Sequence, residues 1–411
     1  MKVKVCDMIM GAGKTESAIT QMNEDTDSRY IFITPYLDEV DRIKKSCKER
    51  NFKDPQGKGK GKLEDLHDLL RRRENIASTH ALFRTYNEET MALIHDGRYK
   101  LILDEAFQAV QLIPIDSEDL EYVKSMAEVD SKGRIRWMSE TYNGVFRGLK
   151  EMCDAGTLVL HNDCFLFWEF PIKIFQAFDG VILLTYMFDA QIHRCYFNLY
   201  GIEYEKIGTK KENGVYRFSD EPCVPDYVYE LPNKIHILSD RKMNKIGDER
   251  TSLSASWYEK ARSAKGKPRI KQLSNNLTNF FRGKLKSPSE KNLWTTFKNY
   301  QGLLKGRGYT KGFLSCNARG TNAYRNRNCL AYCVNIYHNP CIRNYFSSQG
   351  VEIKDDEYAL SEMVQWIWRS AIRDGEDIWL YIPSKRMREL FVGWLEEISH
   401  GGKVNYINAA N

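Results

Sequence analysis

The stretch "CDMIMGAGKTESAI", residues 6–19, follows directly on the valine-rich, alternating "KVKVC" of residues 2–6. That order reads as a strand, a short loop with two glycines, and a helix starting near Lys14. Such a loop can aim backbone N–H groups at a phosphate. Its glycines let the chain approach closely, and the helix N-terminus behind it favours negative charge. In that role Met10, Gly11, Ala12, Gly13, Lys14, Thr15 and Glu16 surround the phosphates, Lys14 reaches the β- and γ-phosphates, and the Thr15 hydroxyl sits on Mg²⁺. The strict pattern G-x-x-x-x-G-K-[ST] has glycine where Met8 stands, so "GAGKT" alone leaves open a plain strand-to-helix turn.

The second signal is "YKLILDEAF" at residues 99–107, an apolar strand ending in Asp104 and Glu105. One carboxylate beyond such a strand holds the hydration shell of Mg²⁺, and the next orients and deprotonates an attacking water. Further apolar runs, "RYIFIT" (29–34), "ENIAS" (74–78) and "GVILLTY" (180–186), alternate with helical stretches. Apolar runs without alternation predict a parallel sheet covered on both faces.

Downstream, "GTKKENGVYRFSDEPCVPDY" (208–227) is polar and turn-rich and reads as a linker. A second set follows: "KIHILS" (234–239), "KGFLSC" (311–316), "CLAYCVNIY" (329–337), the helix "DEYALSEMVQWIWRSAIR" and "DIWLYIP" (377–383). The expected fold class is therefore α/β, with two tandem domains on parallel sheets: 1–207, a linker at 208–229, and 230–411. A basic, partly helical insertion at 241–310 interrupts the second domain.

The net charge of +6 is concentrated there, since 241–310 hold 17 Lys or Arg against 4 Asp or Glu. A basic block on an otherwise acidic chain points to a polyanion, most simply nucleic acid. Lys265, Lys267 and Arg269 lie in its densest part, "KARSAKGKPRIK". The interleaved aromatics, Trp257, Tyr258, Phe280, Phe281, Trp294, Phe297, Tyr300 and Tyr309, are either base-stacking platforms or the core of a small subdomain. The longest apolar run, "VILLTYMF", is too short to span a bilayer, and no signal peptide is evident, so a cytoplasmic protein is expected. Ten cysteines in this length are not a disulfide framework, and Cys329, Cys333, His338 and Cys341 lack zinc-ribbon spacing.

In order and spacing the chain resembles superfamily 2 helicases, the DEAD-like group with two RecA-like domains. "GAGKT" looks like motif I, "TPYLDEVDRI" Ia, "STHALF" Ib, "DEAF" II and "LTYMF" III, of which only Thr185 carries over; "NARGTNAY" (317–324) looks like V and "QWIWRSAIR" (365–373) like VI. The resemblance implies ATP and Mg²⁺ bound between the domains. It gives Arg319 and Gly320 to the nucleotide, and Pro35, Thr79, His80, Thr321 and Asn322 to the nucleic-acid track. It also implies that Gln365, Arg369 and Arg373, spaced i, i+4 and i+8, lie along one helix face, with Arg369 the first choice and Arg373 the second for the arginine that stabilises the transition state.

The function so implied is an ATP-dependent DNA helicase or translocase, most like compact phage-encoded replication or recombination enzymes. DNA is its partner, with RNA open and replication proteins as further partners; it would work as a monomer in the cytoplasm, of the host if viral. Two other readings stay open. One is a viral DNA-packaging ATPase with a nuclease; the other is a nucleic-acid-binding protein on a degenerate ATPase fold.

Overall fold

The computed structural model describes residues 2–57, 59, 61–221, 223–263, 265–318, 323–402 and 404–407. The chain divides into two compact units, Met1–Cys223 with His338–Ile353, and Val224–Tyr337 with Lys354–Asn411.

The first unit opens with β1 (Val3–Asp7), α1 (Lys14–Glu24), β2 (Arg29–Thr34), α2 (Leu37–Ser46), β3 (Ile76–Thr79) and β4 (Tyr99–Asp104). An insertion carries β5 (Val110–Ile113), β6 (Ala127–Val129), β7 (Ile135–Trp137), β8 (Leu158–His161) and β9 (Phe165–Glu169). The main sheet resumes with β10 (Gly180–Thr185), β11 (Tyr204–Glu212) and β12 (Val215–Ser219). Its order is β12-β11-β1-β10-β4-β2-β3, parallel throughout except for the β11–β12 hairpin. The register sets Val5 beside Leu183, Leu183 beside Leu103 and Leu103 beside Ile33, all fully buried. Cys6, Leu184, Ile102 and Phe32, which point the other way, are buried too. Both faces are covered, which is why these strands read as continuous apolar runs.

Three features depart from the sequence reading. Residues 204–219, assigned to a linker from 208 onward, extend the main sheet as a hairpin. Asn213 and Gly214, both at positive φ (51° and 84°), close its two-residue turn, a strong hairpin signal that the surrounding polarity obscured. The insertion between β4 and β10 has sheet order β5-β9-β8 beside a β6–β7 hairpin, over a small core including Leu120, Val123, Ile135, Trp137 and Leu166. Residues 338–353, expected in the second domain, belong to the first unit. Their helix Pro340–Ser347 buries Tyr345 and Phe346 in its core, and the Tyr345 hydroxyl donates to the fully buried Glu169 carboxylate, which also takes Arg134 at 2.6 Å and the Tyr200 hydroxyl.

The second unit holds β13 (Ile235–Leu238), β14 (Asn292–Thr295), β15 (Cys329–Tyr332), β16 (Ile378–Tyr381) and β17 (Asn405–Ile407), in the order β14-β15-β16-β13-β17, all parallel. The expected α/β class with two tandem parallel-sheet domains is therefore what the chain adopts. The expected strand at 311–316 is instead a turn and an extended segment with one bridge, Phe313 to Trp294. The edge strand comes from within the basic block. That block is thus part of the sheet, and Trp257, Tyr258, Phe280, Phe281, Trp294, Tyr300 and Tyr309 are buried core residues, not stacking platforms.

Glu169 is buried with its charge satisfied by three partners, so removing one should be felt. Tyr345→Phe is expected to destabilise the first unit by about 1.5–3 kcal/mol, the worth of a hydrogen bond to a charged group. A lowered denaturant midpoint measures it, and an unchanged midpoint refutes it.

Candidate functional site

Parallel strands put all their C-terminal ends on one edge of a sheet, where ligands gather in open α/β folds. Along that edge β1 ends at Asp7, β10 at Thr185, β4 at Asp104, β2 at Thr34 and β3 at Thr79. One strand, β10, separates the loop-bearing β1 from the carboxylate-bearing β4.

Met8 to Gly13 form the loop. Its two positive-φ positions are Gly11 (87°) and Gly13 (82°), the second being the N-cap of α1, so glycine is needed at these two places. Met8 needs no such freedom. Its side chain is buried and its N–H donates to the Thr185 carbonyl at 3.1 Å, which explains how methionine replaces the usual first glycine. Lys14 folds back over the loop, donating to the carbonyls of Met8 (2.6 Å) and Ile9 (3.1 Å). Burial lowers the Lys14 pKa, against the opposing pull of Cys6, Asp104, Glu105 and Asp7. Thr15 lies in the first turn of α1, where backbone N–H groups have no intrahelical acceptor. Ala12 is buried and its carbonyl accepts from Thr209 Oγ1 on β11. Glu16, expected at the nucleotide, is exposed and ion-paired to Arg42 of α2, which also holds Glu39 at 2.9 Å.

Asp104 is raised to about 7, first by burial and then by repulsion from Glu105 and Glu39, with Lys14 and Arg42 opposing. Glu105 leaves the strand at φ 59°, an uncommon conformation for a non-glycine residue, while its N–H still donates to the Leu184 carbonyl at 2.9 Å. The Asp7 carboxylate accepts from the Phe188 N–H at 3.2 Å and pairs with Lys206 at 3.3 Å, tying the end of β1 to the segment after β10. A polyanion–cation pair suits this set. Asp104 and Thr15 are hard oxygen donors, and a divalent cation would offset the burial and the carboxylate repulsion that raise the Asp104 pKa.

His80 joins the motif Ib stretch to the carboxylates, its Nε2 lying 2.9 Å from the Asp104 carbonyl. Nearby His193 is buried and depressed to about 3, chiefly by burial and then by His80. Pro35 directly follows β2, two residues before α2, and Thr79 ends β3 beside a cavity of about 210 Å³ lined also by Leu37, Gln56, Lys62 and Leu82. Lys265, Lys267 and Arg269 are all exposed, at and before the start of the helix Lys267–Thr278.

The arginine face expected in the second unit does not form. The helix ends at Ile367, Ser370 is extended with its hydroxyl bonded to the Ile367 carbonyl, and Ala371–Asp374 is a separate 3₁₀ turn. Gln365 is buried, Arg369 half-buried and Arg373 exposed, so the three do not line one helix face. Arg319, Gly320, Thr321 and Asn322 lie outside the described residues. Sequence reading missed Thr209 and Tyr216, which meet the loop from the β11–β12 hairpin; the Asn-Gly turn was the available signal.

The chain is therefore an α/β protein with two tandem parallel-sheet units, the first of which sets a glycine-bent loop at the head of α1 with carboxylates at the end of a strand separated from β1 by one other. Residues 229–395 match the family described as the YonV C-terminal Rossmann-like domain, and residues 110–168, spanning most of the insertion, match the YonV middle domain. Over 411 residues the chain is 45% identical to the SPbeta prophage-derived uncharacterized protein YonV of Bacillus subtilis (strain 168), covering 96% of this chain and 99% of that protein. The chain belongs to the YonV family. Solved structures that align with it include an XPD helicase (10% identity, TM-score 0.45) and S. tokodaii Xpd4 (11% identity, TM-score 0.49), each over 99% of this chain and 96% of the other.

The raised Asp104 pKa sets a stability window. An acid held protonated in the folded state, yet ordinary when unfolded, costs stability that grows from about pH 4 to about pH 7. Asp104→Asn should therefore be more stable than the parent at pH 8 without metal or nucleotide, by ~2 kcal/mol after allowance for its partial exposure. The gain should vanish below pH 4. Denaturant midpoints at the two pH values check it, and equal midpoints at pH 8 count against it.

Proposed function

We propose that the chain is an ATP- and Mg²⁺-dependent helicase or translocase acting on DNA, in viral or prophage replication or recombination. The observation that carries this reading is the placement of Lys14 and Thr15 at the head of α1, on the loop that follows β1, with one strand between β1 and β4, which ends at Asp104 and is followed by Glu105. Gly11, Gly13 and the first-turn amides of α1 would cradle the phosphates, while Lys14 exchanges the loop carbonyls for phosphate oxygens. Thr15 and Asp104 would hold the Mg²⁺ that neutralises the phosphates. Glu105, set off the strand axis by its backbone conformation, would orient the attacking water and take its proton.

Arg369, with Arg373 second, is the arginine proposed to stabilise charge developing on the terminal phosphate, and Arg319 and Gly320 complete the nucleotide set. Pro35, Thr79 and His80, with Thr321 and Asn322, are proposed for the nucleic-acid track. His80 also touches the carboxylate strand, so strand occupancy and phosphate chemistry would share one residue. Lys265, Lys267 and Arg269 would supply phosphate contacts. A monomer in the host cytoplasm fits this reading; among the described residues no helix is long and apolar enough to cross a membrane.

ATP hydrolysis by the purified chain, with and without single-stranded and duplex DNA, tests the reading. Lys14→Ala is expected to abolish turnover. Glu105→Gln should keep ATP binding while turnover falls by about 100-fold or more, as loss of a general base implies. Arg369→Ala should remove stimulation by DNA. Turnover near the parent rate in Lys14→Ala or Glu105→Gln refutes the mechanism.

Replacing Lys265, Lys267 and Arg269 together with Ala should reduce the salt dependence of single-strand binding by about 2 in log–log slope, at ~0.7 per phosphate contact. An unchanged slope would remove these residues from the interface.

A further inference from the structure

The nucleotide reading fixes which way the ligand runs, and the hairpin beside β1 then acquires a task. β4, with its carboxylates, lies on one side of β1 beyond β10; β11 and β12 lie on the other. A triphosphate whose terminal phosphate faces Asp104 and Glu105 must leave the loop away from β4, so its nucleoside end points towards the hairpin.

There the hairpin is fastened to the loop and to α1. Thr209, 2% exposed, donates its hydroxyl proton to the Ala12 carbonyl, and Arg217 makes a two-pronged ion pair with Glu24 at the far end of α1. Between these anchors the Tyr216 ring rests on Gly13, so closely that a Cβ at Gly13 would come within 2.2 Å of a ring carbon. The ring is only half-buried, and the Lys211 ammonium lies 5.3 Å from its centroid. A half-buried aromatic ring on the edge hairpin, seated on Gly13 where the loop enters α1, is where a planar base would arrive.

We infer that Tyr216 forms the base-side wall of the nucleotide site, its ring packing against the base of a nucleoside triphosphate while the loop holds the phosphates. This rests on the nucleotide reading above. An aromatic wall contributes affinity without choosing among bases, because every base offers a π-face. ATP and GTP should therefore feel its loss alike.

The test compares ATP and inorganic tripolyphosphate, each with Mg²⁺, by calorimetric titration of the full chain and of Tyr216→Leu, Tyr216→Phe and Lys14→Ala. Leucine keeps an apolar contact on Gly13 without the ring, and phenylalanine keeps the ring. In Tyr216→Leu the ATP affinity is expected to fall about tenfold, as for loss of one stacked base, with tripolyphosphate unchanged. Tyr216→Phe should stay within about twofold of the parent for both ligands. Parallel weakening of ATP and tripolyphosphate, or no change in either, would show that the ring merely supports the loop and overturns the inference while leaving the nucleotide reading in place. Failure of the parent to bind either ligand, or binding that survives Lys14→Ala, overturns the nucleotide reading and this inference with it.

Discussion

β10 is the strand on which the site depends. Neighbouring strands lie about 4.8 Å apart, so a single strand between β1 and β4 sets their ends about 10 Å from each other. That is room for a phosphate and a hydrated cation between a lysine on one side and two carboxylates on the other. Adjacent strands would crowd these groups, and two intervening strands would part them. The spacing is held by the buried row Val5, Leu183, Leu103 and Ile33, which cannot slip without moving apolar side chains out of register. β10 also acts chemically through its end, since the Thr185 carbonyl receives the Met8 N–H and the Leu184 carbonyl receives that of Glu105. The loop and the carboxylate turn are thus both fastened to the strand that separates them.

Without a ligand the site is electrostatically unfinished. Asp104 is held near neutrality by burial and by carboxylate neighbours, while Lys14 is partly deprived of water and spends its donors on loop carbonyls. A bound triphosphate would relieve Lys14, and a bound cation would relieve Asp104. Both groups are held by the frame, Asp104 at the end of a central strand and Lys14 at the head of α1. Preorganisation of this kind is how an enzyme stabilises developing charge without reorganising at the moment of reaction.

How much of this could be read from the residues follows from where the physics is local. β1, β2, β4 and β10 were legible because a strand buried on both faces must be apolar at every position. The positions of Lys14 at the head of a helix and of Asp104 and Glu105 at a strand end were legible because each lies at or shortly after the end of a readable strand. The β11–β12 hairpin was hidden because an edge hairpin exposes one side and reads as polar, although Asn213-Gly214 announced its turn. The aromatic block misled for the opposite reason. Most basic residues between Trp257 and Tyr309 are exposed, but the rings among them close a core that only tertiary packing reveals. The expected arginine helix stops at Ile367, before both arginines, and the Ser370 hydroxyl bonds back to the Ile367 carbonyl ahead of a separate 3₁₀ turn.

The 338–353 segment imposes an order on how the chain can be completed. Glu169 ends β9, and its carboxylate is fully buried. Arg134 and Tyr200 are available as soon as the first 200 residues exist, but Tyr345 and Phe346 arrive only after most of the second unit's strands have been made. Until then the first unit holds a buried carboxylate short of one donor and an apolar surface short of two rings, each a real cost. The chain therefore leaves the first unit at Cys223 and must return at His338 before leaving again at Ile353. Completing the first unit therefore draws on residues that follow three strands of the second unit in the sequence.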